Sequence, residues 1–432
     1  MSKELIGLLG IILLFVFLVA RMWIGVAMTL IGMIGIMIIR GQTQALNVLG
    51  TQPFITANNY SLTVIPMFIL MGLVISESRM GSDLFTTANA FLGHHRGGLA
   101  SATTVASGIL GAITGSHMAG TIIMSKIALP EMKRYHYSDE LACGSVAGAA
   151  PLAIIIPPSI PMIMYGIIAD ENIGRLFISG IIPGIMLVIL DVVFISILTR
   201  IHPDYGPAEE RTPWKDRFKS FKTVWPIVIL FILVLGGIYG GWFTVTESGA
   251  IGAAAAVLIG VLSRRLTWKK IVKCLVNTAL LTGTILLLMI GTNIFTTFIT
   301  YSKVPAFLAN AVVSSGLPVG VIIVLVAIMY IILGMFMPDN PMIMLTVPIL
   351  YPIMVTTLHL NGTWFGLFVV LMTALGSITP PVGMVVFLLA GLSKVDVRKI
   401  FKGVIPFIAG LILVIVLISL FPEIVLWLPN LM

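Results

Sequence analysis

Charge is what this chain of 432 residues has least of: Asp, Glu, Lys and Arg together make up 10% of it, against roughly 25% in soluble domains. That scarcity excludes an ordinary water-soluble domain. With 58% hydrophobic residues and a mean hydropathy of +1.11, the chain reads as a polytopic membrane protein. Cysteine is almost missing too. Cys143 and Cys274 sit in or beside apolar stretches, which excludes a disulfide framework and offers no metal-ligand spacing. No His-Glu-x-x-His or comparable catalytic framework occurs. A cleavable leader is not expected either, because the apolar run at 5–20 ends in Val19-Ala20-Arg21 rather than small-x-small, so it reads as a retained first helix. The net charge of +8 does not imply nucleic acid. The basic residues collect between apolar runs, where positive charge marks cytoplasmic loops.

What is abundant is apolar sequence in runs long enough to cross a bilayer, for which about 17–25 residues suffice. Such runs lie near 5–20, 23–39, 58–77, 138–169, 176–199, 224–240, 249–263, 275–298, 363–391 and 403–421. Two further stretches, 98–130 and 318–356, are apolar but carry Gly, Ser, Asn or Pro at their centres, at Thr114-Gly115-Ser116-His117 and Gly334 to Pro341. Each half is short for a span, and both stretches read as re-entrant hairpins.

Two of the long runs are broken by paired prolines, at Ile156-Pro157-Pro158-Ser159 and Thr379-Pro380-Pro381-Val382-Gly383. Proline removes a backbone donor and drives the preceding residue out of helical geometry. In hydrocarbon the freed backbone groups are tolerated only where protein buries them or a wet cavity meets them. Breaks at corresponding positions in two halves are the best sequence pointer to a transporter site at the midplane.

Charge sets the polarity. Arg200 to Lys222 holds six Lys or Arg against four acids; Arg264, Arg265, Lys269, Lys270 and Lys273 follow without an acid, and Lys394, Arg398, Lys399 and Lys402 form another group. These, with His94-His95-Arg96 and Lys133-Arg134, are expected on the cytoplasmic side, and the charge-poor loops 241–248 and 299–317 outside. The first hairpin then opens inward and its broken helix runs outward, while the second pair has the opposite polarity. The expected organisation is all-α: N-terminal scaffold helices and an arm (1–97), a first repeat (98–199), a cytoplasmic loop with central scaffold helices (200–300) and an inverted second repeat (301–432). On this count the amino terminus is external.

Hairpin tips and broken helices bring helix ends to the midplane. Helix N-termini favour an anion, while freed carbonyls and hydroxyls are hard oxygen ligands suited to Na⁺. Thr114, Ser116, Ser159, Asn340, Ser377 and Thr379 concentrate there. Some single residues have plainer readings. His117 beside Ser116 suggests an intramembrane hydrolase, but adjacent side chains rarely reach nucleophile–base geometry and no oriented Asp partner is evident in the sequence. Asp191 is expected to contact a partner helix, Glu247 to complement a helix dipole, and Trp242, Trp364 and Trp427 to mark interfacial belts.

Gly111-Ala112-Ile113-Thr114-Gly115-Ser116, Ile156-Pro157-Pro158-Ser159-Ile160-Pro161, Leu176-Phe177 with Gly180-Ile181-Ile182-Pro183-Gly184, Thr246-Glu247-Ser248 and Gly376-Ser377-Ile378-Thr379-Pro380-Pro381-Val382-Gly383 together resemble the large membrane subunit, or DctM-type permease, of tripartite ATP-independent periplasmic (TRAP) transporters. The likeness runs over essentially the whole chain. It implies a multi-pass protein of the bacterial inner membrane, without enzymatic activity, importing a small organic anion (a carboxylate or sulfonate) with a sodium gradient and a mobile elevator domain. It also implies two partners, a small four-helix membrane subunit as a separate chain and a periplasmic substrate-binding protein. Two or more Na⁺ sites follow from the resemblance: one at Thr114 and Ser116 with carbonyls of Ala153, Ile156 and Pro158, the other at Gly334, Gly376, Thr379 and Val382. Gly115, Ser116, His117, Ser159, Asn340 and Ser377 are the residues expected against substrate. The chain departs from the family at three places: His117 stands for a usual serine, Ala153 for a usual glycine, and Pro338 intervenes before Asp339. A standalone sodium–dicarboxylate symporter or ion antiporter of similar inverted repeat is the neighbouring alternative.

Overall fold

A computed structural model describes residues 2–20 and 22–431. Every regular element among them is helical. The amino-terminal part comprises α1 (Lys3–Val19), α2 (Ile24–Arg40), α3 (Gln42–Ala57), α4 (Val64–Glu77) and α5 (Met80–Leu92). Next come α6 (Gly98–Thr114), α7 (His117–Arg134), α8 (Asp139–Gly148), α9 (Leu152–Ile155), α10 (Ile160–Ala169), α11 (Ile173–Ser179) and α12 (Ile181–Ile201). The central helices are α13 (Trp214–Phe231), continued by a π-turn into α14 (Gly237–Tyr239), then α15 (Val245–Leu262), the 35-residue α16 (Trp268–Ser302) and α17 (Val304–Ser314). The chain ends with α18 (Val319–Phe336), α19 (Asp339–Tyr351), α20 (Gly362–Ile378), α21 (Met384–Ser393) and α22 (Val397–Leu420). Nine helical stretches among the described residues are long and apolar enough to cross a membrane.

Local chemistry starts and stops these helices. Ser138, Thr244, Asn361 and Asp396 cap α8, α15, α20 and α22, each accepting a bond from a backbone N–H of the first turn. At α15 the cap is reciprocal, Glu247 accepting from the Thr244 N–H at 2.8 Å, so the carboxylate serves the helix end as expected. Gly115, with φ +59, ends α6 in a conformation that most side chains resist.

In lipid there is no hydrophobic drive between helices, so close approach of small residues does the packing. On α2, Gly25 lies on Gly291 of α16, and Gly35 lies on the ring of Phe298. Gly144 of α8 meets Gly403 of α22 backbone to backbone. The second group ties the two ends of the molecule together, since α8 belongs to the first repeat and α22 closes the second.

Several elements differ from expectation. The expected external loop 299–317 is mostly helix, the end of α16 and then α17, whose Pro305 falls at its first turn where the missing donor costs nothing. Helices α3 and α5 fall outside the long apolar runs read as spans. Trp364 does not belong to an interfacial belt: it is 3% exposed, stacks on Phe368 and donates its indole N–H to the Ile418 carbonyl at 2.8 Å. Trp242 and Trp427 are exposed. Cys143 and Cys274 are buried free thiols.

Asp191 is wholly buried on α12, beside Gly410 of α22, and neither carboxylate oxygen has a hydrogen-bond partner. Unpartnered buried polar groups cost stability. The near-isosteric Asp191→Leu should therefore raise stability by about 1–3 kcal/mol and leave uptake intact; a lower melting temperature would give the carboxylate a partner we do not see.

The connection from α12 to α13 straps the chain just before α6 and just after α7. Gly97 N–H donates to the Gly206 carbonyl at 2.8 Å, and Ser138 N–H to the Tyr205 carbonyl at 3.0 Å. Beside it, Arg217 lies 3.3 Å from His94 Nδ1. Burial, then the neighbouring His95 and Arg217, hold the His94 imidazole below its ordinary value of 6.5. The unfolded chain thus binds this proton more readily. Stability from this contact is complete above pH 6.5 and declines as pH falls below it. A melting-temperature profile in which His94→Asn flattens the acid limb checks this.

Candidate functional site

The site is built from two hairpins and two breaks. Helices α6 and α7 form the first hairpin, turning at Gly115-Ser116, and α18 and α19 form the second, turning at Met337-Pro338. Each tip lies on the break of its own repeat. Gly111 of α6 is against the backbone of Ala153, and Gly115 reaches the Pro158 carbonyl and Ile160. In the second repeat, a Cβ on Gly334 would come within 2.8 Å of Gly376 Cα. The breaks are also crossed over: α10 packs on α19 and α21 packs on α7, so each repeat's second half-helix supports the other repeat's hairpin. This interleaving converges four helix ends. Both proline pairs contain a cis peptide, Pro157-Pro158 and Pro380-Pro381.

The breaks leave oxygen donors free. In a helix the Ala153 and Ile154 carbonyls would accept from residues 157 and 158, and those of Gly376 and Ser377 from residues 380 and 381. All four of those positions are proline, which has no N–H; only the Gly376 carbonyl finds a substitute, accepting from the Thr379 N–H at 3.3 Å. Around the first break stand Thr114, 8% exposed, with its hydroxyl 3.4 Å from the Gly111 carbonyl, and Ser116, whose oxygen accepts from Ala119 N–H at 3.5 Å. Ser159 is fully buried and caps α10 in the same way. Around the second, Ser377 donates to the Ala374 carbonyl and Thr379 to that of Leu375, at 2.7 and 2.6 Å. Each hydroxyl thereby keeps an oxygen lone pair for another partner. These are uncharged, hard oxygen donors, the set that suits Na⁺. Among the described residues no cluster of three or more His, Cys, Asp or Glu could hold a transition metal.

Of the residues expected on the first sodium site, Thr114, Ser116, Ala153, Ile156 and Pro158 all lie on the α6 tip or the adjoining break. Of the second, Gly334 and Gly376 touch, and Thr379 and Val382 lie on the break that follows. Of the residues expected against substrate, Gly115, Ser116 and His117 form the first tip, Ser159 and Ser377 flank the breaks, and Asn340 follows the second tip.

Sequence reasoning missed one arrangement. His117 Nδ1 lies 2.8 Å from Asp339 Oδ2, with the two side chains 2% and 10% exposed. The approach is close but lacks hydrogen-bond alignment, and Asp339 Oδ1 and the Asn340 amide oxygen are buried without partners. His117 and Asp339 are the first residues of α7 and α19, equivalent places in the two repeats. That equivalence was the only available signal. The Ser116 hydroxyl is turned to its own helix end rather than the imidazole, so the neighbours make no nucleophile–base pair.

The model of the family described as "Tripartite ATP-independent periplasmic transporter, DctM component" matches residues 11–424. The chain is 32% identical to the ectoine TRAP transporter large permease protein TeaC of Halomonas elongata, over 86% of each chain. It is 30% identical to the C4-dicarboxylate TRAP transporter large permease protein DctM of Pseudomonas aeruginosa, over 87% of this chain and 88% of that one. It is 28% identical to the corresponding DctM of Vibrio cholerae over 98% of both. Among solved structures, the YdaH transporter of Alcanivorax borkumensis matches with a TM-score of 0.64 over 88% of this chain and 89% of that chain, at 13% identity, a likeness of fold alone.

Proposed function

The chain belongs to the DctM family of TRAP transporter large permeases, inner-membrane transport subunits rather than enzymes, and from that premise we propose that it imports a small organic anion driven by a sodium gradient. The observation that carries the proposal is the pair of interleaved breaks, where prolines withhold the helical donors of the Ala153, Ile154 and Ser377 carbonyls beside the hydroxyls or glycines of each hairpin tip. Thr114 and Ser116, with carbonyls of Ala153, Ile156 and Pro158, would hold one Na⁺; Gly334, Gly376, Thr379 and Val382 would hold the second. Bound Na⁺ would supply positive charge beside the helix N-termini of α7 and α19, so that an anion between the tips is stabilised only when the cations are present. Relatives named for ectoine and for C4-dicarboxylates support a small organic acid.

The repeats would move as one body against α1, α2, α4, α13, α15 and α16, carrying the site across the membrane. The family's tripartite description supports delivery by a periplasmic binding protein and assembly with a small membrane subunit as a separate chain. Uptake into proteoliposomes holding both membrane subunits, with the binding protein outside, tests this. Accumulation should require an inward Na⁺ gradient and should collapse without the binding protein; uptake indifferent to either would overturn the proposal.

A further inference from the structure

Among the described residues, the His117–Asp339 contact is the one place where ionisable side chains meet between the hairpin tips. Its surroundings make it an isolated pair. Besides His117, α7 carries Lys126, Glu131, Lys133 and Arg134, all nine or more residues away toward the cytoplasmic end. Of the elements packed on α7, α6, α9 and α21 have no ionisable group. Helix α8 has Asp139, Glu140 and Cys143, of which Asp139 pairs with Lys399, and α5 has Asp83, which pairs with Arg265. Around α19, helices α17 and α20 have none. Helices α10 and α18 bring Tyr165 and Tyr330, already bonded to the Gly362 carbonyl and to Thr346, and α19 itself carries Tyr351, bonded to Glu171. Helix α16 carries Lys269, Lys270, Lys273, Cys274 and Tyr301; Lys270 and Lys273 are engaged by Glu77.

A His117 ring and an Asp339 carboxylate that face only each other constrain what can come between them. A purely anionic substrate drawn to His117 would displace the Asp339 carboxylate and leave it buried next to a second negative charge. Removing one partner of a buried pair is strongly unfavourable for that reason. A substrate carrying both signs avoids the penalty, its anionic group meeting His117 and its cation meeting Asp339. Two further atoms point the same way. Asp339 Oδ1 and the Asn340 amide oxygen are buried acceptors without donors, and an N–H-bearing cation would supply donors to both.

We propose that the His117–Asp339 pair selects a zwitterionic substrate, a small molecule with a carboxylate or similar anionic group and an ammonium or amidinium group on one short skeleton. This rests on the reading that substrate sits between the tips, and it narrows that reading from organic anions in general. His117 acts as anion receptor, and Asp339 with Asn340 as cation receptor.

The test uses the purified full-length permease with its small subunit, in Na⁺, and follows melting temperature against two fixed probe sets. One holds zwitterions (β-alanine, γ-aminobutyrate, creatine and ectoine), the other pure anions of similar size (succinate, glutarate, gluconate and isethionate). At least one zwitterion should protect the wild type, and no pure anion should. In Asp339→Asn, zwitterion protection should need about tenfold or more higher concentration, while pure anions begin to protect. His117→Gln should weaken both classes, which keeps the test open if the first variant does not fold. Protection of the wild type by a pure anion, protection by no zwitterion, or an unchanged preference in Asp339→Asn would overturn the proposal. Stabilisation by Na⁺ alone is read separately in each protein. Its failure would strike the sodium reading while the contrast between probe sets still decides this one.

Discussion

Replacing Gly376 by Ala will raise the Na⁺ concentration needed for half-maximal uptake by about 10–100-fold, the range seen when atoms supporting a metal site are displaced, while the protein still inserts and folds. The Cβ would lie 2.6 Å from Gly334 Cα and 3.2 Å from the Tyr330 carbonyl. Carbon atoms pack at about 3.5–4.0 Å, so α18 and α20 must part by roughly 1 Å. Both neighbours are backbone and cannot rotate away. Metal–ligand distances tolerate only about 0.2 Å, so a hairpin displaced by that amount no longer presents the Gly334 carbonyl and the 376–382 break to one ion. Gly320→Ala is the control: it lies on the same α18, and a Cβ there meets nothing within 4 Å. Na⁺-dependent uptake, normalised to folded protein, should fall in Gly376→Ala and be unchanged in Gly320→Ala. Equal values for the two variants would remove the second cation from this place.

The parts of this fold that sequence made legible are those where local chemistry leaves no alternative. Two prolines in succession inside apolar runs must break a helix, and the breaks lie at 156–159 and 379–383. Polar residues at the centre of an apolar stretch must turn, and the hairpins turn at 115–116 and 337–338. Long apolar runs became α1, α2, α4, α12, α15, α16 and α22. What stayed hidden depends on distant partners. Helix α17 read as a loop because its apolar stretch is too short to span, yet it packs on α1 and α19. Trp364 read as interfacial because nothing near it in sequence reveals Ile418, whose carbonyl satisfies its indole. The same holds for the site. His117 and Asp339 are separated by more than two hundred residues, and only the crossing of α7 with α21 and of α10 with α19 brings the tips together. The sequence marks His117 and the Pro338 that precedes Asp339 as departures from the family pattern, but that His117 meets Asp339 is a three-dimensional fact. The fold is therefore local at its breaks and long-range at its charges.

Gly403→Val carries the largest expected cost to stability, about 3 kcal/mol or more, the upper range for overpacking. A Cβ at Gly403 would run into the Glu140 carbonyl and approach Gly144 Cα within 3.1 Å. Both contacts are again backbone, so α8 and α22 can accept a branched side chain only by separating along their crossing. In lipid little replaces what is lost, because packing rather than hydrophobic drive holds the two helices together. The melting temperature should fall well below that of Gly391→Ala, where the added carbon meets nothing within 4 Å. Uptake per folded molecule should remain near that of the wild type, since neither α8 nor α22 supplies a residue to either proposed ion site. That outcome is the reverse of Gly376→Ala, although both variants press a carbon into a glycine–glycine crossing. If Gly403→Val instead lost uptake without losing stability, the α8–α22 crossing would have to flex within the moving body during transport. The two glycine pairs would then have to be treated as one mechanical unit spanning both repeats.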